Sequence, residues 1–204
     1  MAETRVRVEH PPVVLHTHPV LEMDEEQFFE FCQLNRDWRI ERSAEGDLEV
    51  TAPTEGETSD GNSEIDMQVR LWAKRDGAGV AFDSNGGFVL PNGAMRSPDA
   101  SWVRRERLTI LTAEQKQRFL PLCPDFVIEL RSPSDPLAVI EAKMREYVEN
   151  GAKLGWLIDP EERKVHVYKP GEPVGILSSP DKLSGDPALS GFILDLKPIW
   201  EPGF

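Results

Sequence analysis

The sequence predicts an α/β or α+β protein built on a mixed central β-sheet flanked by helices. Three observations carry that expectation. The elements read in the order helix, hairpin, helix, several strands, helix, two strands, as a mixed sheet with packed helices requires. The runs at 126–130 and 154–158 are almost continuously apolar, as in strands buried on both faces. The chain has 204 residues, 39% hydrophobic and 29% charged, which suits one domain with a substantial core.

The elements follow in order. Residues 1–20 are rich in Pro and His and read as an extended N-terminal arm. His10, His16 and His18 lie there, but His16-Thr17-His18 has only alternate spacing and no acid or thiol nearby, so an arm outweighs a metal site. Met23 to Leu34 reads as an amphipathic helix with Asp24 as its cap and acids in its first turn. Trp38 to Arg42 and Leu48 to Thr51 alternate around a Gly-containing turn and form a hairpin. Pro53 to Gly61 reads as a polar loop, and Asn62 to Arg75 as a helix seated by Ile65, Val69 and Trp72. Short strands at 80–83 and 87–90 flank Asn85-Gly86. Arg96 to Arg104 reads as one strand, and Leu108 to Phe119 as surface loop or short helix. After the strand at 124–132, Ser134-Asp135-Pro136 opens a helix to about Asn150, stopped by Gly151. Strands at 154–158 and 164–168 follow, then a loop-rich stretch at 171–187 and extended segments at 192–196 and 198–200.

Composition limits the chemistry. The net charge is −13. Most nucleic-acid binding is driven by Lys and Arg neutralising phosphates, so an acidic chain needs a local basic cleft or metal ions to reverse the sign. The two cysteines, Cys32 and Cys123, have no CxxC spacing and read as reduced thiols. No stretch has the length of a membrane span and residues 1–18 lack a signal-peptide core, so a cytoplasmic protein is expected. No phosphate loop, dinucleotide fingerprint or nucleophile elbow is present.

The informative segment is Asp125-Phe126-Val127-Ile128-Glu129-Leu130-Arg131-Ser132. A carboxylate in an apolar strand costs several kcal/mol unless a partner or metal offsets it. A second acid, Asp99, sits in Arg96-Ser97-Pro98-Asp99-Ala100. Taken alone, Asp99 is a turn residue after Pro98, and Asp125 a strand-entry residue after Pro124. Two carboxylates on neighbouring strands with a cation nearby suit a divalent metal site for phosphodiester cleavage. Arg131, two residues after Glu129, shares its face if the strand continues. Lys143 and Tyr147, four apart, share a helix face, although a lysine there is ordinarily solvated. His166 reads as a half-exposed strand residue, and Ser132-Pro133-Ser134-Asp135 as turn and cap.

The ordered set of segments adds a resemblance. It comprises Pro53 to Ser59 with Asn62-Ser63-Glu64-Ile65, then Ser97-Pro98-Asp99, then Glu129 to Asp135. It continues through Lys143-Met144-Arg145-Glu146-Tyr147, Asn150 to Pro160, and Val165 to Tyr168. Over about residues 20–170 the chain resembles the PD-(D/E)XK nuclease superfamily, in its branch of restriction-endonuclease-like bacterial proteins. The resemblance implies a restriction-endonuclease-like core at about 53–170 within a single domain of residues 21–204, with an extra N-terminal helix and hairpin. It implies Asp99 as the motif aspartate, Glu129 as its second acid and Glu57 as a third metal-binding acid. The motif expects Lys where this chain has Arg131. Arginine cannot act as a base, so the cation would be Arg131 acting by charge alone or Lys143 reaching in from the helix.

The expected function is therefore a Mg²⁺- or Mn²⁺-dependent endonuclease acting on DNA. A homodimer would follow from cutting two strands, an argument from function. The alternative is a catalytically silent restriction-endonuclease-like domain that binds nucleic acid or protein. A metal-dependent hydrolase of a small phosphorylated substrate ranks third.

Overall fold

The computed structural model describes residues 12–51 and 54–203. Two sheets organise it. The N-terminal sheet has the order β1-β3-β2-β6-β5, from Val13–Leu15, Leu48–Thr51, Arg39–Arg42, Met95–Arg96 and Phe88–Val89. The central sheet has the order β11-β10-β9-β8-β7-β4, from Gly175–Ser178, Lys164–Tyr168, Leu154–Asp159, Phe126–Leu130, Ala100–Arg104 and Gly79–Asp83. β8 and β9 pair in parallel and are joined by α4, Leu137–Glu149. The other pairings in that sheet are antiparallel. The mixed sheet flanked by helices is the fold the sequence predicts.

Period-two alternation along β8 sorts its side chains. Phe126, Ile128 and Leu130 pack with Ile65, Val69 and Ala73 of the helix α2, Gly56–Asp76, and with Trp156 and Phe192. Phe126 meets Trp156 edge to face with ring centroids 4.9 Å apart, a geometry that adds about 0.5–1.5 kcal/mol beyond burial. Val127 points the other way, into a cluster with Ile140, Met144 and Tyr147 of α4. Glu129 has the parity of Val127, so the strand aims a carboxylate at α4.

α1, Glu25–Leu34, starts at Asp24 with a reciprocal capping box to Gln27, which satisfies two otherwise orphaned N–H groups. Its Phe28 packs on the N-terminal sheet with Leu48, Val89 and Met95. The strand β1 lies inside the expected N-terminal arm and pairs with β3, Val13 opposite Val50. His16 Nδ1 lies 2.8 Å from Asp47 Oδ2; His10 is outside the described residues. Cys32 and Cys123 are free thiols.

The structure differs from the sequence reading in several places. α2 runs over Gly56–Asp76, so most of the expected 53–61 loop is helical. Propensity argues against helix there, but packing overrides it: a Cβ on Gly61 would sit 2.8 Å from Leu130 Cδ2, so glycine permits the close approach. The pair Gln68 Nε2 to Asp195 O at 2.9 Å and Asp195 N to Gln68 Oε1 at 2.8 Å fixes α2 further. The expected strand 96–104 breaks into β6 and β7, in different sheets, with Asp99 at the transfer. Likewise 80–83 and 87–90 enter different sheets. α4 starts at Leu137 without a side-chain cap, because the Asp135 carboxylate accepts from Ser132 N–H at 3.1 Å and closes the preceding turn. The 171–187 stretch carries β11 and β12 (Lys182–Ser184) before β13, Ile193–Asp195, and Lys197–Trp200 is the helix α5, not an extended segment. His166 is buried rather than half-exposed, with Nδ1 3.4 Å from Glu141 Oε1.

Candidate active site

The transfer between the sheets places the first acid. The chain leaves β6, passes Ser97-Pro98, and enters β7 beside β8. Asp99 is held there from two sides. Its Oδ2 accepts from Leu130 N–H at 2.9 Å, and its Oδ1 accepts from Arg39 Nη1 at 2.9 Å. Arg39 also donates to Ser97 O, so one guanidinium holds both ends of the transfer.

The second acid comes from β8 and meets α4. Glu129 Oε1 accepts from Tyr147 Oη at 3.0 Å and lies 3.0 Å from Lys143 Nζ. Lys143 also donates to Glu41 Oε1 at 2.9 Å. Glu41 comes from β2 and accepts in addition from Ser97 N–H at 2.7 Å. Behind it, Arg96 Nη1 reaches Glu41 Oε2 at 3.5 Å and Glu49 Oε2 at 2.8 Å, and its Nε donates to Glu146 Oε2 at 2.6 Å. Carboxylates Glu41, Asp99 and Glu129 thus alternate with cations Arg39, Lys143 and Arg96. Each acid is about 5–6% exposed.

The cluster floors a cavity of about 530 Å³. One wall is the N-terminal sheet with Val13, Trp38, Arg39, Glu41 and Val50; the other is the start of α4 with Pro136, Val139, Ile140 and Lys143. Glu55, Thr58 and Asn62 from α2, and Ser132, Ser134 and Asp135 after β8, complete it.

Charge and burial divide the acids. Burial pushes the Glu129 carboxyl up, and although Lys143 opposes this, the nearby Asp99 and Glu41 add to it, leaving it at about 7. Burial also pushes Glu41 up, but Lys143, Arg39, Arg96 and the Ser97 N–H outweigh it and hold Glu41 at about 2. Burial pulls the Lys143 ammonium down, and Glu129 and Glu41 more than reverse it. Burial and the adjacent Glu129 keep Tyr147 a neutral donor far above its ordinary range. Glu41 is therefore a fixed anion, while Glu129 changes charge near neutrality.

The structure brings Asp99, Glu129 and Lys143 into one cavity. It does not bring Arg131 or Glu57 there. Arg131 is buried with Nη1 2.7 Å from Asp159 Oδ2 and Nε donating to Asp135 O at 3.1 Å. β8 ends at Leu130, so the two-residue alternation that would have put Arg131 beside Glu129 stops one residue short. Glu57 sits in the first turn of α2 on its exposed side, and Glu55 and Thr58 line the cavity instead. Asp125 is a strand-entry residue: Oδ2 accepts from Arg104 N–H at 2.8 Å, and Oδ1 pairs with Arg107 at 3.0 Å. Sequence reasoning missed Arg39 and Glu41. No local signal marked them, because β2 reads Arg39-Ile40-Glu41-Arg42, an ordinary alternating strand, whereas Glu129 stands in an apolar run.

Acidic oxygen ligands fit a hard divalent cation, which takes one or two carboxylates and completes its shell with water and phosphate oxygens. Asp99 and Glu129 supply two carboxylates, and Tyr147 and Lys143 both meet Glu129 at Oε1. Among those residues, no group of three or more His, Cys, Asp or Glu is placed to hold a metal ion.

The fold and this cluster define a restriction-endonuclease-like α/β protein. A crystal structure described as a putative nuclease belonging to DUF820, from Anabaena variabilis ATCC 29413, superposes with a TM-score of 0.70 at 22% identity, covering 87% of this chain and 97% of that one. At that identity the likeness shows the fold. Residues 25–197 match the model of the Uma2 family, described as "Putative restriction endonuclease". The chain belongs to that family, which supports a nuclease function in general. No curated protein matches the chain. Among the described residues, no helix is long and apolar enough to cross a membrane.

Proposed function

We propose that the protein is a divalent-metal-dependent nuclease that hydrolyses phosphodiester bonds in DNA. The observation that carries the reading is the meeting of Asp99, Glu129 and Lys143 in one cavity, from the entry to β7, from β8 and from α4. Asp99 and Glu129 would hold Mg²⁺ or Mn²⁺. A bound ion supplies a water of lowered pKa and neutralises charge on the phosphate. Leu130 N–H and Arg39 orient the Asp99 carboxylate. Lys143, anchored by Glu41, presents positive charge where the phosphate gains negative charge in the transition state. Tyr147 orients Glu129 by donating to it. A cytoplasmic homodimer, one site per strand, accompanies this reading for duplex DNA.

A specific observation favours the second reading, a silent domain that binds nucleic acid or protein. The site acids already pair with protein cations, Asp99 with Arg39 and Glu129 with Lys143. One assay separates the two. Wild type and Glu129→Gln are incubated with plasmid and single-stranded DNA in Mg²⁺ or Mn²⁺. Metal-dependent cleavage lost in Glu129→Gln supports the nuclease. No cleavage with either ion and either DNA leaves the binding module.

A further inference from the structure

Resting on the nuclease reading, the cavity itself narrows the substrate. We infer that the site takes an unpaired nucleotide strand rather than intact duplex, and that Trp38 stacks the base next to the phosphate bound at the acids.

Three observations lead there. The first is depth. Glu41, Asp99 and Glu129 are only about 5–6% exposed, at the floor between two walls of protein. Duplex DNA is stiff over about 50 nm and carries its phosphates on a convex surface. A phosphate on a flexible single strand reaches such a recess more easily than one on a stiff duplex.

The second is charge. Arg39 and Lys143 are the cations lining the cavity among the described residues, and both are tied to its acids. Glu49, Glu55 and Asp135 line it as well, and the chain carries −13 overall. Duplex binding normally requires several free Lys and Arg to neutralise phosphates. Single strands also gain from cations, but they depend on them less and add base stacking, so an acidic lining weighs more heavily against duplex.

The third is an exposed aromatic ring. Trp38 is the one tryptophan of the five that lines the cavity. It is 54% exposed, and among the described residues its ring makes no aromatic or cation contact. It directly precedes Arg39, which donates to Asp99, and both Trp38 and Asp99 line the one cavity. A base stacked on such a ring contributes on the order of 5- to 150-fold in affinity and accepts every base, because each has a π-face. An unpaired strand exposes that face, and a duplex hides it.

The test uses the full chain and a DNA oligonucleotide carrying 2-aminopurine, free or annealed to its complement. Binding is read in Ca²⁺ by 2-aminopurine fluorescence, and cleavage separately in Mg²⁺ or Mn²⁺. The expected result is quenching by the wild type with at least tenfold tighter binding of the single strand. Trp38→Ala loses about tenfold or more of that binding and Trp38→Phe recovers most of it. Circular dichroism checks that both variants fold. Equal affinity for duplex and single strand overturns the inference, as does unchanged single-strand binding in Trp38→Ala, or no binding of either form. Equal cleavage of duplex and single strand overturns it and leaves the nuclease reading standing. Trp38-dependent single-strand binding without cleavage in either metal supports the strand preference and removes the nuclease reading instead.

Discussion

The two sheets deliver charge to the same cavity in different ways. The central sheet supplies Glu129 from β8 and, through α4, Lys143 and Tyr147, all within one βαβ unit. The N-terminal sheet supplies Arg39 and Glu41 from β2, and Arg96 from β6. The first set includes the acid that changes charge near pH 7. The second holds a carboxylate ionised at about 2 and cations pinned to acids. The difference separates a chemical half from a clamping half. The N-terminal sheet fixes the charge and position of groups that the central sheet and α4 contribute.

The largest effects should follow changes in the central sheet. Glu129→Gln and Asp99→Asn should each lower kcat for metal-dependent cleavage on the order of 10²–10³-fold, the scale seen when one preorganised charge-stabilising group is lost. Folding should persist, because both substitutions keep shape and one hydrogen-bonding oxygen. Single-turnover cleavage alongside circular dichroism checks this. Full activity in Glu129→Gln would move the chemistry away from this cavity.

Lys143→Met and Arg131→Met compare the cation inside the cavity with the one outside it. Each breaks a buried ion pair by removing one partner, which costs about 3–5 kcal/mol. Both should therefore melt earlier. Only Lys143→Met should lose activity, roughly 10²-fold, when assayed well below its melting temperature. Equal activity loss in the two would restore Arg131 as the motif cation.

The two sheets also differ in how far the sequence revealed them. Glu129 was legible because it interrupts an apolar strand, and Lys143 because the resemblance lacked its motif lysine and a four-residue spacing joined Lys143 to Tyr147. The capped helix α1, the β2–β3 hairpin and the parallel β8–α4–β9 unit were legible from capping, alternation and apolar runs. Arg131 was misread because alternation was carried past the end of β8. The first turns of α2 were misread because Gly56, Gly61 and their polar neighbours look like loop; the contact of Gly61 with Leu130 and Ile199 that favours helix is long-range. Arg39 was invisible for the same reason. Its partner Asp99 lies 60 residues away, at a transfer between sheets that local pattern reads as one strand.

Glu41→Gln tests the clamping half at smaller scale. The amide oxygen can still accept from Ser97 N–H, but the charge that anchors Lys143 is gone. Lys143 would then be held by Glu129 alone. We expect kcat to fall about tenfold, ~1.4 kcal/mol in the barrier, with KM little changed and Lys143→Met adding less than it does in wild type. A lower melting temperature with unchanged kcat at low temperature would reduce Glu41 to a structural clamp.

The last expected effect is on stability against pH rather than on activity, and it has opposite signs in the two halves. Glu129 rises from an ordinary 4.5 to about 7 on folding, chiefly through burial. Between those values the native state holds a proton that the unfolded chain has released, so stability falls as pH rises. That contribution is complete below about 4.5 and lost as pH passes about 7. Glu41 drops from 4.5 to about 2, because Lys143, Arg39 and Arg96 outweigh burial. Its contribution is complete above about 4.5 and lost as pH falls through about 2. Melting temperatures of wild type, Glu129→Gln and Glu41→Gln over pH 3–8 check both. The advantage of wild type over Glu129→Gln should shrink from pH 5 to 8, since glutamine has no proton to release. The advantage of wild type over Glu41→Gln should shrink from pH 4.5 toward 3. A Glu129→Gln difference that stays flat across pH 5–8 would mean that Glu129 is already ionised throughout that range. Lys143 would then dominate burial at that carboxylate, and the two acids would no longer be divided by environment.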